Sequence, residues 1–341
     1  MDRRAFIKSM SVGSLGAFSN APFCSQSSAE PRVKPATTSV SWGLLLHLGY
    51  NMWCDWDNPS RSRNHTNASA SLRFDDLLWN DLLEQMAGGG LNLLVIDLGE
   101  GVRYDSHPEL AVEGSWSTGR LKRELARVRA LGIEPIPKMN FSATHDAWLG
   151  KYSRCLSTER YYAVCSELIA EAIDLFDQPR LFHLGMDEET AKHQRDYEYA
   201  VIRQNDLWWK DFYFYVNQVE RGHARPWIWS DYVWHHPKVF FERMPRSVVQ
   251  SNWYYDENFD LTEGKDAIGA YLELQRHGYD QIPTGSNWTN DVNFGRTVDF
   301  AREHIDTERL LGFLHAPWRP TLEEYRGHHE AAIQQVAAAK T

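Results

Sequence analysis

The stretch Leu181-Phe182-His183-Leu184-Gly185-Met186-Asp187-Glu188-Glu189 organises this chain. Leu181 to Leu184 read as a short buried strand, and Gly185 ends it. Three acids then fall within three positions, Asp187, Glu188 and Glu189. Carboxylates this close repel one another, so at a strand end beside a cavity at least one is expected to keep its proton near neutral pH. A protonated acid beside an ionised one is the equipment of glycoside cleavage. Acids also favour helix N-termini, and for D-E-E alone a solvated cap would be the simpler reading. The surroundings of the stretch decide between the two.

Outward from this strand, apolar runs bounded by Gly, Asn or Pro alternate with amphipathic stretches of helical length. The runs are Val40–Gly49, Leu91–Leu98, Ile133–Met139, Arg180–Leu184, Pro226–Ser230, Ser247–Trp253, Gln281–Asn287 and Leu310–His315. Helices are expected over Phe74–Ala87, Thr118–Leu131, Thr158–Phe176, His193–Val219, Leu261–His277, Val292–Ile305 and Leu322–Ala338, with a short one at most around Pro237–Arg243. Gly88-Gly89-Gly90 and Gly132 are stop signals for the first two. Eight β-then-α units predict an α/β fold, a closed (β/α)8 TIM barrel forming a single catalytic domain over 40–341. An open doubly wound sheet lacks support, because no G-x-G-x-x-G follows the first run.

Chemistry in such barrels sits at the C-terminal strand ends. The residues just past the runs include Glu100, His145, Asp187 with Glu188, Trp229 with Asp231, Trp253 with Tyr254 and Asp256, Trp288, and Trp318. Singly, each has a bland role in packing or capping. Together they describe a pocket for one sugar ring, with indole walls and carboxylates for hydroxyls and proton transfer.

The totals agree with a globular glycan-handling protein. The 341 residues are 43% hydrophobic and 24% charged, with 14 Trp and a net charge of −10. No basic run follows the first residues, which argues against nucleic acid or an anionic membrane as partner. The four cysteines, Cys24, Cys54, Cys155 and Cys165, form no C-x-x-C pair, and no H-E-x-x-H occurs, so neither a metal nor another cofactor is expected. One disulfide is open to an oxidising compartment, with no pair favoured. Asp2-Arg3-Arg4-Ala5-Phe6-Ile7-Lys8 resembles a twin-arginine export signal. Residues 10–23 are too short and too rich in Gly and Ser for a stable membrane span. The expected layout is a signal over 1–24, a linker over 25–39, and a periplasmic or secreted domain.

The chain resembles the catalytic barrel of glycoside hydrolase family 20, the β-N-acetylhexosaminidases, over roughly Ser39 to Tyr325. His183-Leu184-Gly185-Met186-Asp187-Glu188 is similar to the family's H-x-G-G-D-E, with Met186 for the second Gly. The second run through Glu109-Leu110, the third run with His145, Trp227–Asp231 and Val249–Tyr254 fit its other strands. The resemblance implies that Glu188 is general acid and then base, and that Asp187 orients the substrate's own 2-acetamido group as nucleophile. It implies that Tyr254 donates to the acetamido oxygen with Asp256 nearby. Trp229, Trp253 and Trp318 would form the acetamido pocket and ring platform, and His145 and Glu100 would hold the acid or a ring hydroxyl. The implied activity is retaining, exo-acting removal of a terminal N-acetylhexosamine from an oligosaccharide or glycan. A glycosidase for a non-acetamido sugar and a non-catalytic glycan-binding barrel are the alternatives. Three hydroxyl-binding residues of the family pattern are missing: the first strand opens Ser41-Trp42-Gly43 without Arg, Lys138 stands for a Glu, and Pro320 for another. Arg103, Asp55, Asp57 and Arg319 are the available substitutes.

Overall fold

The computed structural model describes residues 40–61, 64–262 and 265–341. The expected export signal, the linker and Cys24 lie outside these residues. Eight parallel strands form the barrel: β1 (Ser41–His47), β2 (Leu93–Asp97), β3 (Glu134–Lys138), β4 (Leu181–His183), β5 (Arg225–Trp229), β6 (Val249–Ser251), β7 (Thr284–Gly285) and β8 (Gly312–His315). They neighbour one another in the order β6-β5-β4-β3-β2-β1-β8-β7. The ring closes between β6 and β7 through bridges Gln250↔Gln281 and Trp253↔Thr284. The backbone N–H of Ile282 donates to the Gln250 carbonyl at 2.9 Å, and that of Thr284 to the Asn252 carbonyl at 2.9 Å.

Helices follow the strands: α1 (Asp76–Gly88), α2 (Thr118–Ala130), α3 (Glu159–Leu175), α4 (Asn205–Arg221), α5 (Pro237–Arg243), α6 (Lys265–Arg276), α7 (Asn293–His304) and α8 (Arg326–Ala339). Short polar residues start the first three. The Asp75 carboxylate accepts from Leu77 N at 2.9 Å, Ser117 Oγ from Arg120 N at 3.2 Å, and Thr158 Oγ1 from Tyr161 N at 3.3 Å. None of the helices among the described residues is long and apolar enough to cross a membrane.

Alternation along the strands divides the core. Leu44 and Leu46 of β1 face outward with the helices, whereas Leu45 joins Leu93, Val95, Ile136 and Leu181 inside the barrel. One layer nearer the C-terminal ends, the interior turns polar. His47, Asp97, Lys138 and His183 pair in register around four adjacent strands. Lys138 Nζ bonds Asp97, and both are fully enclosed. Burial alone would raise the Asp97 carboxyl, but Lys138 and His47 outweigh it and hold it below its ordinary value. Lys138 is therefore committed to this enclosed polar layer.

Two sequence expectations fail. The helix expected from His193 starts only at Asn205, and residues 190–204 form an irregular loop. The run expected over Gln281–Asn287 reduces to the two-residue β7, with isolated bridges on either side of the Ile282-Pro283 step. Pro283 offers no N–H to the ladder at this step. The three described cysteines are all free.

Candidate active site

Gly185 turns the chain out of β4 with φ of +71°, and Met186 and Glu188 follow at +74° and +51°. Side chains rarely occupy this left-handed region, and its cost is of order 1–3 kcal/mol per residue. The turn presses Gly185 against Asn140, where a Cβ would sit 2.0 Å from Asn140 Oδ1. Asn140 then organises the site. Its Oδ1 accepts from Met186 N at 3.2 Å and Ser142 N at 3.0 Å, while its Nδ2 donates to Asp187 Oδ1 at 2.8 Å.

His145 sits behind the pair. Its Nε2 lies 3.4 Å from Asp187 Oδ2 and 3.3 Å from Glu188 Oε2. Burial acts on the imidazole to lower its pKa, but the charges of Asp187 and Glu188 outweigh it and raise it above its ordinary value. Burial pushes the Glu188 carboxyl up, but the hydrogen bond and charge of His145 prevail and hold it below its ordinary value. The ligand atoms of His145, Asp187 and Glu188 all lie within 4.8 Å of one another, the spacing of a group able to hold a metal ion. A proton shared by the imidazole satisfies the same geometry.

A fourth carboxyl, that of Asp231, faces the cluster from the end of β5. Burial first, and the Asp187 charge second, push Asp231 up to about 8. Its Oδ2 accepts the Glu188 backbone N–H at 2.8 Å. Glu189 leaves the cluster altogether, pairing with the buried Arg203 at 2.6 Å.

A cavity of about 500 Å³ opens over the pair. Of the predicted residues, Asp187 and Glu188 line it together with Trp229, Trp253, Tyr254, Asp256, Trp288 and Trp318. His145 lies just behind it, and Asp231 lines a second, adjoining cavity. Glu100 is the exception. It is buried beside β2, and its Oε1 accepts from Tyr50 N at 2.7 Å and Asn51 N at 2.9 Å, so it anchors the loop after β1 and does not face the cavity.

Sequence reading missed Trp53, Trp234 and Tyr255, all lining the cavity. Tyr255 stacks on Trp253 with centroids 5.0 Å apart, and its hydroxyl accepts from Trp318 Nε1 at 2.9 Å. Trp253-Tyr254-Tyr255-Asp256 offered two tyrosines, and both line the cavity. Trp53 lies six residues past β1, and its ring meets His145 edge-on at 4.9 Å. Of the substitutes for the missing hydroxyl-binding residues, Asp55 is paired with Arg154 and Asp57 accepts from Asn67 Nδ2 at 3.2 Å. Arg103 is exposed on the short strand Val102–Arg103 and lines neither cavity. Arg319 is at the rim, 4.4 Å over the Trp288 ring.

No protein-family model matches the chain, and no curated protein matches it by sequence. Solved structures match it by fold. A GH20 exo β-N-acetylglucosaminidase from Vibrio harveyi, solved with N-acetylglucosamine, aligns at 14% identity and TM-score 0.57, over 86% of this chain and 54% of that one. The Flavobacterium johnsoniae chitobiase aligns at 15% and 0.60, over 87% and 48%. Dispersin B aligns at 14% and 0.55, over 88% of this chain and 99% of its own. The chain thus spans about half the length of the first two. With identity this low, the likeness is one of architecture: the chain has the fold of the family 20 catalytic barrels.

Proposed function

We propose that the protein is an exported, exo-acting, retaining glycoside hydrolase that removes a terminal 2-acetamido sugar by substrate-assisted catalysis. The observation that carries this reading is the Asp187–Glu188 pair, tied through one imidazole nitrogen and opening on an aromatic-walled cavity. Asp187, held by Asn140 and His145, accepts the acetamido N–H. That increases the electron density on the amide oxygen, which attacks the anomeric carbon. Glu188 delivers a proton to the departing glycosidic oxygen. His145 Nε2, at 3.3 Å, supplies that proton when the sugar displaces water and the ionised carboxylate loses its solvation. Glu188 then takes a proton from the water that opens the oxazoline, which restores the starting charge and retains configuration. No protein nucleophile is required on the opposite ring face, so the acids can be chain neighbours.

One observation favours a second reading. Glu188 is held below its ordinary value while Asp231 is raised to about 8, an ionised and a protonated carboxyl on one rim. Such a pair would serve a sugar without an acetamido group. Chromogenic 2-acetamido and 2-hydroxy glycosides, gluco and galacto, separate the two. The first reading expects turnover of the acetamido series only, and loss of roughly 100-fold or more in Glu188→Gln on a poor leaving group. Unchanged turnover in that variant removes Glu188 from the chemistry.

A further inference from the structure

Trp318 reaches the cavity from the segment just past β8, which reads Ala316-Pro317-Trp318-Arg319-Pro320. Trp318 itself sits at φ of +51°. Side chains rarely occupy this left-handed region, so the surroundings must hold the residue there. The two prolines lack an N–H and remove two donors the segment could have used on its own behalf.

Side chains from elsewhere in the fold take up its carbonyls. Ser286 Oγ donates to the Ala316 carbonyl at 2.6 Å, Tyr50 Oη to that of Trp318 at 2.9 Å, and His329 Nε2 to that of Pro320 at 3.0 Å. His328 Nε2 donates to the Pro317 carbonyl at 2.8 Å. A carbonyl only accepts, so this bond selects the Nε2–H tautomer of His328. The Pro317 carbonyl lies in the same peptide plane as the Trp318 nitrogen, and turning that plane changes the Trp318 φ. We infer that His328, which lines neither cavity, is a positioning residue: by holding this plane it aims the Trp318 indole and sets the affinity for the sugar. The inference rests on the proposed sugar-binding role of the first cavity.

His328 is itself well anchored. It is the third residue of α8, and its own carbonyl accepts from Asn287 Nδ2 at 2.9 Å, beside Trp288. At the other end of the lever, Trp318 Nε1 donates to the Tyr255 hydroxyl at 2.9 Å, and the indole lies 5.7 Å from the Trp229 ring and 5.9 Å from that of Trp53. A small turn of the Pro317–Trp318 peptide would swing the ring off all three. Tyr50 and His329 are fully buried, so removing either would also open the core. His328 is half-buried, so its replacement probes the clamp alone.

Two measurements on the full chain test this: kinetics with a chromogenic 2-acetamido glycoside and calorimetry with the matching N-acetylhexosamine monosaccharide. Indole packing on the ring acts before and during the reaction, so its loss appears in KM and not in kcat. His328→Ala should raise KM and the monosaccharide dissociation constant about tenfold and leave kcat within about twofold. Burial keeps the His328 pKa below its ordinary value, so a neutral amide is a fair replacement. His328→Gln offers an N–H to the same carbonyl and should restore both constants to within about twofold of the parent. In a Trp318→Ala background, His328→Ala should add less than about twofold, because the ring it aims is gone. Parental affinity in His328→Ala, a Gln variant no better than the Ala variant, or an undiminished loss in the Trp318→Ala background overturns the inference. Any of these with a parent that binds or cleaves the sugar sinks this inference alone, whereas a parent that does neither sinks the proposed function with it.

Discussion

Gly185 shows how one residue fixes the geometry of the candidate site. Its position needs both a left-handed φ and the absence of a side chain, because Asn140 occupies the space a Cβ would take. Gly185→Ala should therefore displace Asn140, release Asp187 Oδ1 and Met186 N, and destabilise the fold by more than about 1 kcal/mol. Chemical denaturation and turnover check this together, and a variant with native stability and full activity would contradict it. The Met186 departure from the G-G pattern is explained here as well. The residue keeps the left-handed geometry, φ +74°, and buries its side chain. Asp187 and Glu188 were legible in the sequence because they are adjacent and follow a strand. Arg203 was not, although it decides the fate of Glu189. The sequence shows three acids in a row, and only the fold brings a buried guanidinium to the third.

At the scale of elements, eight strand–helix units were legible from alternation and stop signals, and the boundaries of α1 to α3 fall within two residues of those expected. The loop 190–204 was not. Its residues have helical propensity, but tertiary bonds outweigh it. Gln194 Nε2 donates to the Val201 carbonyl at 2.8 Å, Tyr197 Oη to the Met52 carbonyl at 2.8 Å, and Arg203 both closes the loop on Glu189 and donates to the Phe141 carbonyl at 2.6 Å. Met52 and Phe141 lie far outside any local window. Glu189→Gln leaves a fully buried guanidinium with Asp211 as its remaining acid, and should destabilise by about 3 kcal/mol. A denaturation midpoint equal to the parent's would show that the pair does not hold the loop.

Across the whole molecule, an apolar barrel centre, a polar layer and an aromatic mouth stack along the axis, and they couple the site to pH. His145 and Asp231 both have folded-state pKa values above their ordinary ones, Asp231 at about 8. Each therefore binds its proton more tightly folded than unfolded. Asp231 begins to cost stability as pH rises past the ordinary carboxylate range, and the cost is complete above about pH 8. The contribution of His145 is full below the ordinary imidazole range and is lost as pH rises through its raised value. Because buried histidines such as His47, His183 and His315 are held below their ordinary value and work in the opposite direction, the Asp231 contribution is read as a difference: Asp231→Asn should gain stability relative to the parent as pH rises from 6 to about 9, most at the alkaline end. A variant whose advantage over the parent shrinks across this interval would reverse the assignment. Such couplings lie beyond sequence reading, because Asp231 and Asp187 follow two different strands, β5 and β4, and meet only when these pair. The central claim is that the Asp187–Glu188 pair acts on a sugar that brings its own nucleophile. Its most direct test is calorimetric titration of the parent protein and Asp187→Asn with a bicyclic thiazoline that mimics the oxazoline intermediate. The account predicts tight binding to the parent and a loss of roughly 100-fold in the variant. No binding to the parent, or equal binding to both proteins, would contradict it.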